Sequence, residues 1–365
     1  MEIMKLHHFP LEAYQSRYTD YLSTIEAKHF KSVFADYVAY TPQDALNSQI
    51  TSGSVLDSYR RPVVCFDQIR QFLKSEKPES LKDSVLWFSD FYTAGLDAIP
   101  YAFRGERPYK AGAFLWAQTF DRFDFTASYV DWMRPWEVMA SVFYDHIFVA
   151  SETLKDLICV ALPFVSAKVH TVGLPYDYQH LQPLGDFKTT RSYDCAYTSR
   201  WDKEKQPQFF LDIVENNLDL KFVVCTGHET LTGDDKVAIE RATRLIEKGK
   251  LSLCANLSKQ EYFNILCKTK VQLNTALQDW VSFTLLEALT FGCIPLYPAY
   301  RSFPEALRYN EDCLYAPFDL EAVSQKLRWS VKSHTFDASY GLSILDYHSN
   351  TLKRITDILQ TKGKI

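Results

Sequence analysis

Residues 271–297, VQLNTALQDWVSFTLLEALTFGCIPLY, read as a strand, a helix and a second strand. Val271 to Thr275 predicts a short strand and Ser282 to Phe291 a helix. Gly292 stops that helix, because glycine accepts the left-handed backbone of a helix end, and Ile294 to Tyr297 is the next strand. Upstream the alternation continues. Ser258, with Glu261 three positions on, is an N-cap signature opening a helix to about Cys267. Before it come a strand at Leu251 to Ala255, a charged amphipathic helix at Val237 to Lys248, and a β-branched strand at Lys221 to Thr226 running into Gly227. Gln206 to Asn216 has helical spacing, and Tyr193 to Thr198 is a short strand. Repeated strand–helix–strand units specify a parallel sheet with right-handed crossovers, whose ligands sit beyond the carboxyl ends of the strands.

The first half is less regular. Val63 to Phe66, Val85 to Ser89, Ala113 to Trp116 and His146 to Ala150 read as strands, and Pro175 to Thr190 reads as a linker. The expectation is an α/β protein of two Rossmann-like domains facing a cleft: residues 1–178, residues 190–345, and a C-terminal helix within 346–365 returning to the first domain.

With 365 residues, 47% hydrophobic and 23% charged, the chain buries enough apolar surface to exclude a mainly disordered protein. Every apolar run is broken before the roughly 18 residues a membrane span needs, and residues 1–10 hold no signal-peptide core, so a cytoplasmic protein without stable membrane insertion is expected. The eight cysteines form no CxxC pair and read as buried, reduced thiols, with no metal site. Residues 1–180 carry 17 basic against 22 acidic groups, and residues 181–365 carry 23 of each, so bulk charge does not advertise a polyanion partner.

Two segments at strand ends carry chemistry. In Ser199-Arg200-Trp201-Asp202-Lys203-Glu204-Lys205-Gln206-Pro207, Arg200 and Lys205 stand five apart before a helix, an arrangement that holds phosphate oxygens. The plain alternative is a solvated charged turn. In the second segment Asp279 ends a strand and Glu287 lies one to two turns into the next helix, where carboxylates accept paired hydrogen bonds from hydroxyls. Ser282, Phe283 and Thr284 then offer first-turn amides to the same phosphates. The alternative here is an N-capping aspartate and an ordinary helix glutamate.

Together the segments resemble the retaining GT-B glycosyltransferases of the GT4 type. Arg200 and Lys205 are similar to that family's R-x4-K pair, and Asp279 and Glu287 to its E-x7-E motif, followed by Ala288, Gly292 and Pro295. The likeness spans roughly residues 190–310. It departs in having Asp279 for a glutamate, and Trp280 and Ser282 for small glycine-rich filling. The resemblance implies a nucleotide-sugar donor, a UDP-sugar as the first choice, with no metal or other cofactor. It implies that Glu287 holds the ribose, Asp279 contacts the sugar, Arg200 and Lys205 stabilise the departing diphosphate, and the loop at Gly227 adjoins the donor.

In the first half, Asp90, Asp121 and Asp124 fall at strand ends and are candidates for acceptor contact or proton removal, with Asp121 the choice for the catalytic role. Capping of turns is the competing explanation for each. Trp116 and Arg122 complete the acceptor candidates. His7 and His8 read as lying just after the first strand, where a surface position is the plain explanation. Asp145 to Ser151 resembles the D-x-I-x-V-x-S strand closing the family's first domain, a structural role. Residues 85–175 resemble, more loosely, bacteriophage-encoded members that glycosylate hydroxymethylated pyrimidines in DNA. Arg104, Arg107, Lys110, Arg122 and Arg134, among aromatics, supply a candidate patch for double-stranded DNA in a host cytoplasm. The alternatives are an envelope glycan or lipid-linked acceptor, a sugar-nucleotide epimerase, and a non-catalytic binding module.

Overall fold

The computed structural model describes residues 4–12, 18–41, 60–333 and 337–361. The chain divides into two compact units, Met1–Pro175 with Asn350–Ile365, and Tyr176–Ser349.

Unit 1 runs β1 (Lys5–Phe9), α1 (Tyr18–Val33), β2 (Asp36–Ala39), α2 (Arg60–Ser75), β3 (Ser84–Phe88), α3 (Ala98–Ala102), β4 (Tyr109–Phe114), α4 (Val130–Phe143), β5 (His146–Val149), α5 (Glu152–Ala161) and β6 (Val169–Thr171). Its six parallel strands lie in the order β2-β1-β3-β4-β5-β6, so the direction of strand addition reverses between β1 and β3. All five residues of β3 are buried, as expected of a strand covered on both faces.

Unit 2 runs α6 (Tyr178–Leu181), β7 (Tyr193–Tyr197), α7 (Pro207–Asn216), β8 (Phe222–Cys225), α8 (Lys236–Glu247), β9 (Ser252–Cys254), α9 (Lys259–Cys267), β10 (Thr269–Leu273), α10 (Phe283–Thr290), β11 (Ile294–Pro298), α11 (Phe303–Ala306), β12 (Leu314–Tyr315), α12 (Leu320–Ser333) and α13 (Ala338–Ser349). Its parallel order is β12-β11-β10-β7-β8-β9, reversing between β7 and β10. Gly292 takes φ +75° at the end of α10, and the Ser258–Glu261 capping box opens α9. The last helix, α14 (Thr351–Gln360), packs on unit 1: Thr351 Oγ1 donates to the Val172 carbonyl at 2.8 Å, and His29 bonds Thr356 at 2.9 Å. Gly112 in β4 permits this, since a Cβ there would lie 2.9 Å from Leu359 Cδ2.

Three expectations are corrected. Val63 to Phe66 is not a strand but part of α2, whose Val64, Cys65, Ile69 and Phe72 are buried while Val63 and Phe66 are exposed. The β-branched run misled because tertiary burial overrides a short local preference. The span from Pro175 to Thr190 is not a bare linker: it holds α6 and a 3₁₀ turn at Gln182–Leu184, with Tyr176, Tyr178 and Leu181 buried. His7 and His8 lie inside β1 and are fully buried, His7 bonding Tyr40 and His8 bonding Tyr37 and Ser89.

Candidate functional site

The reversal between β7 and β10 leaves two loops side by side at the carboxyl ends of neighbouring strands, the usual position for a ligand in such a sheet. The first runs from Tyr197 to α7. Lys203–Lys205 forms a 3₁₀ turn, Gln206 adopts a left-handed backbone at φ +51°, and Pro207 starts α7 where its missing N–H costs nothing. The second runs from β10 to Ser282 and delivers the N-terminus of α10.

These loops brace each other. The Leu277 N–H donates to the Glu204 carbonyl at 2.9 Å, and Thr275 Oγ1 donates to the Lys205 carbonyl at 2.7 Å. Tyr197, fully buried and stacked 4.2 Å from Phe210, donates its hydroxyl to the same Lys205 carbonyl. Burial pushes the Tyr197 phenol above its ordinary range, so it stays a donor.

Lys205 and Asp279 come together. Lys205 is buried, its Nζ donating to the Gln278 carbonyl at 2.7 Å and standing 3.7 Å from Asp279 Oδ2. Arg200 pairs with Asp202 and with Glu204, each at 2.6 Å, and Glu204 Oε1 also lies 3.5 Å from Lys205 Nζ. One carboxylate therefore bridges the two cations. Ser302 Oγ donates to the Asp279 carbonyl at 3.0 Å, and the Arg301 guanidinium lies 5.7 Å from the Trp280 ring.

Glu287, on the second turn of α10, is held from α9: Lys259 Nζ reaches it at 3.2 Å and the Tyr262 hydroxyl donates to it at 2.9 Å. Burial and the Glu287 charge raise the Tyr262 phenol well above its usual range. Ser282 is the N-cap of α10, its hydroxyl 2.7 Å from Thr284 Oγ1, and Phe283 and Thr284 form the first turn, where helix geometry supplies an amide no carbonyl four residues back. Gly227 follows β8, beyond its carboxyl end, with the Leu257 carbonyl 3.6 Å from where its Cβ would be. Lys259, Tyr262 and Tyr197 escaped the sequence reading. Nothing in linear spacing pairs residues 25 and 28 positions apart.

In unit 1, Asp90 follows β3 and pairs with Arg61 at 2.7 Å, and burial pushes its carboxyl upward. Arg61 also pairs with Glu12 and donates to the Tyr92 carbonyl. Beyond β4, Asp121 is buried and accepts from the Phe123 N–H at 3.0 Å. Asp124 caps a 3₁₀ turn, accepting from the Thr126 N–H at 2.9 Å and hydroxyl at 2.7 Å. Trp116 Nε1 donates to the Ser89 carbonyl, while exposed Arg122 lies 4.6 Å from the Phe123 ring. Glu137, unread from sequence, holds this loop by accepting from the Thr119 N–H at 2.7 Å, the Thr119 hydroxyl and the Tyr92 hydroxyl.

The five cations read as one patch do not form one. Arg107 bonds Asp145, and Lys110 bonds the Thr361 carbonyl, at the amino end of β4, whereas Arg122 and the Thr119-bound Arg134 lie beyond its carboxyl end. Interleaving with aromatics in sequence carries no information about which end of a strand each cation occupies.

No protein-family model matches the chain. Over 123 residues it is 28% identical to tRNA-queuosine alpha-mannosyltransferase of Drosophila melanogaster, a match covering 32% of this chain and 30% of that relative. The chain thus spans under a third of the length of that curated relative. Solved structures match over nearly the whole chain at low identity. A glycosyltransferase from Rickettsia africae superposes with a TM-score of 0.65 at 10% identity over 98% of each chain. Trehalose-6-phosphate synthase OtsA gives 0.66 at 10% identity over 98% of this chain and 99% of that one. An E. coli trehalose-6-phosphate structure bound with UDP-2-fluoro glucose gives 0.67 at 12% identity over 99% and 100%.

Proposed function

We propose that this chain, whose two parallel six-stranded sheets have the GT-B architecture, is a retaining glycosyltransferase using a nucleotide-diphosphate sugar. The observation that carries the reading is the meeting of Lys205 and Asp279 at the reversal of the unit 2 sheet, beside the N-terminus of α10. A structural neighbour bound with UDP-2-fluoro glucose supports a UDP-sugar as donor.

In this reading Lys205, Arg200 and the first-turn amides of α10 receive the diphosphate. As the bond from the anomeric carbon to the phosphate oxygen breaks, negative charge grows on that oxygen, and fixed cations there give the largest stabilisation. The acceptor hydroxyl attacks from the same face, and its proton passes to the leaving phosphate. Asp279 contacts the sugar and Glu287, steadied by Lys259 and Tyr262, the ribose. Asp121, being buried, shapes its loop instead of taking the proton. Charge compensation by side chains requires no metal, so EDTA is expected to leave the transfer rate unchanged. Activity abolished by EDTA and restored by a divalent cation would refute that.

For the acceptor, the reading is a hydroxyl on a modified nucleoside. The sequence likeness points to 5-hydroxymethylpyrimidines in duplex DNA, and the local match to an enzyme named for queuosine in tRNA favours a tRNA nucleoside as a second form. The test supplies radiolabelled UDP-, GDP- and ADP-sugars with hydroxymethylated DNA, queuosine-containing tRNA, and unmodified controls. Label confined to one modified substrate identifies the acceptor. Donor cleavage without labelled nucleic acid moves the acceptor to an envelope glycan, interconverted donor sugars indicate an epimerase, and no donor turnover sinks the transferase reading.

A further inference from the structure

Helix α1 turns Leu22, Ile25, Glu26 and Phe30 into unit 1 and sets Ser23, Ala27 and Lys31 in a line four residues apart. Ser23 and Ala27 are short, as is Ala39 on β2 opposite, and the space left between helix and strand is a cavity of about 330 Å³. That is room for a small molecule.

The polar wall of the cavity, at His8 and Tyr37, is backed by a chain of buried hydrogen bonds. Glu26, buried, accepts from Trp87 Nε1–H at 3.3 Å and from the Ser89 hydroxyl at 2.5 Å. A serine hydroxyl has one proton. With that proton given to Glu26, Ser89 Oγ accepts from His8 Nε2–H, 2.8 Å away. His8 Nδ1 lies 2.7 Å from the Tyr37 hydroxyl, and His8 Nε2 also stands 3.4 Å from Glu26 Oε2. The Tyr37 hydroxyl lines the cavity, and a phenol that can both donate and accept suits a ligand hydroxyl. Lys31, its Nζ 5.7 Å from the Tyr37 ring centroid, brings a positive charge to the same wall.

We propose that this cavity between α1 and β2 binds a small anion carrying a hydroxyl group, of the class of polyol phosphates and hydroxy acids. It uses no residue of the donor site argued above and stands independently of the transferase reading.

The probe is sn-glycerol 3-phosphate, with glycerol and inorganic phosphate as controls that keep the hydroxyl or the charge alone. Binding to the full chain is followed by the ring resonances of His8 and Tyr37. The expected result is saturable shifts with glycerol 3-phosphate. Affinity is expected to fall about tenfold for each control, and about tenfold in Tyr37→Phe and in Lys31→Ala. No saturable shift, equal affinity for a control, or undiminished binding in both variants overturns the proposal. Should Tyr37→Phe melt lower than the parent protein, Lys31→Ala, at an exposed position, decides.

Discussion

Glu204 touches both cations of the loop after β7, so in the proposed donor site a diphosphate would meet a carboxylate already in place. Replacing it by the isosteric amide removes like charge from the proposed phosphate position. Glu204→Gln is therefore expected to lower the donor KM by about two- to tenfold with little change in kcat. A raised KM would mean that Glu204 aligns Arg200 and does not oppose the donor. Lys205 has the opposite expectation. Lys205→Met takes away a buried cation from the proposed diphosphate position, and kcat is expected to fall about 10²- to 10³-fold, the range for losing one preorganised stabilising group. A rate within a factor of two of the parent protein would remove Lys205 from the reaction.

At the scale of elements, legibility followed local chemistry. The strands and helices between Tyr193 and Pro298 were readable to within about two residues because capping residues and apolar spacing agree there with the tertiary outcome. The Arg200–Lys205 and Asp279–Glu287 segments stand out in the sequence for the same reason, each beginning in the loop between a readable strand and a readable helix. What lay hidden was cross-chain. Val63 and Val64 look alike in sequence, and only the packing of α2 leaves one exposed and the other buried. Gly233 is another such case: a Cβ there would lie 2.1 Å from the Trp201 carbonyl oxygen. The loop before α8 packs on the loop after β7, where the Asp235 N–H donates to that oxygen and the Asp234 N–H to Asp202. Gly233→Ala forces backbone apart and is expected to cost about 1–3 kcal/mol in urea unfolding. An unchanged midpoint would show that the loops slide past each other freely.

At the scale of the whole molecule, unit 1 carries imidazoles that its fold keeps from protons. Burial lowers His7, His146 and His170 from 6.5 to about 4, and all three belong to unit 1. Between those values the unfolded chain binds protons that the folded chain refuses, so stability is fully present above pH 6.5 and is lost as pH falls toward 4. Calorimetry from pH 7 down to pH 4.5 is expected to show the transition of unit 1 moving to lower temperature. A transition independent of pH over that interval would mean that these imidazoles are as easily protonated in the fold as outside it.

Helix α14 belongs to unit 1 yet follows all of unit 2 in the chain. On a ribosome, at about 5–20 residues per second, unit 1 waits on the order of ten seconds or more for the segment that supplies Thr351, Thr356 and Leu359. During that interval the surface around Gly112 and Val172 is uncovered, and a transcript cut short after the codon for Tyr315 but before that for Thr351 yields a nascent chain with both sheets encoded and the first one unsealed. Vectorial synthesis therefore makes the arrival of α14 the step that closes unit 1.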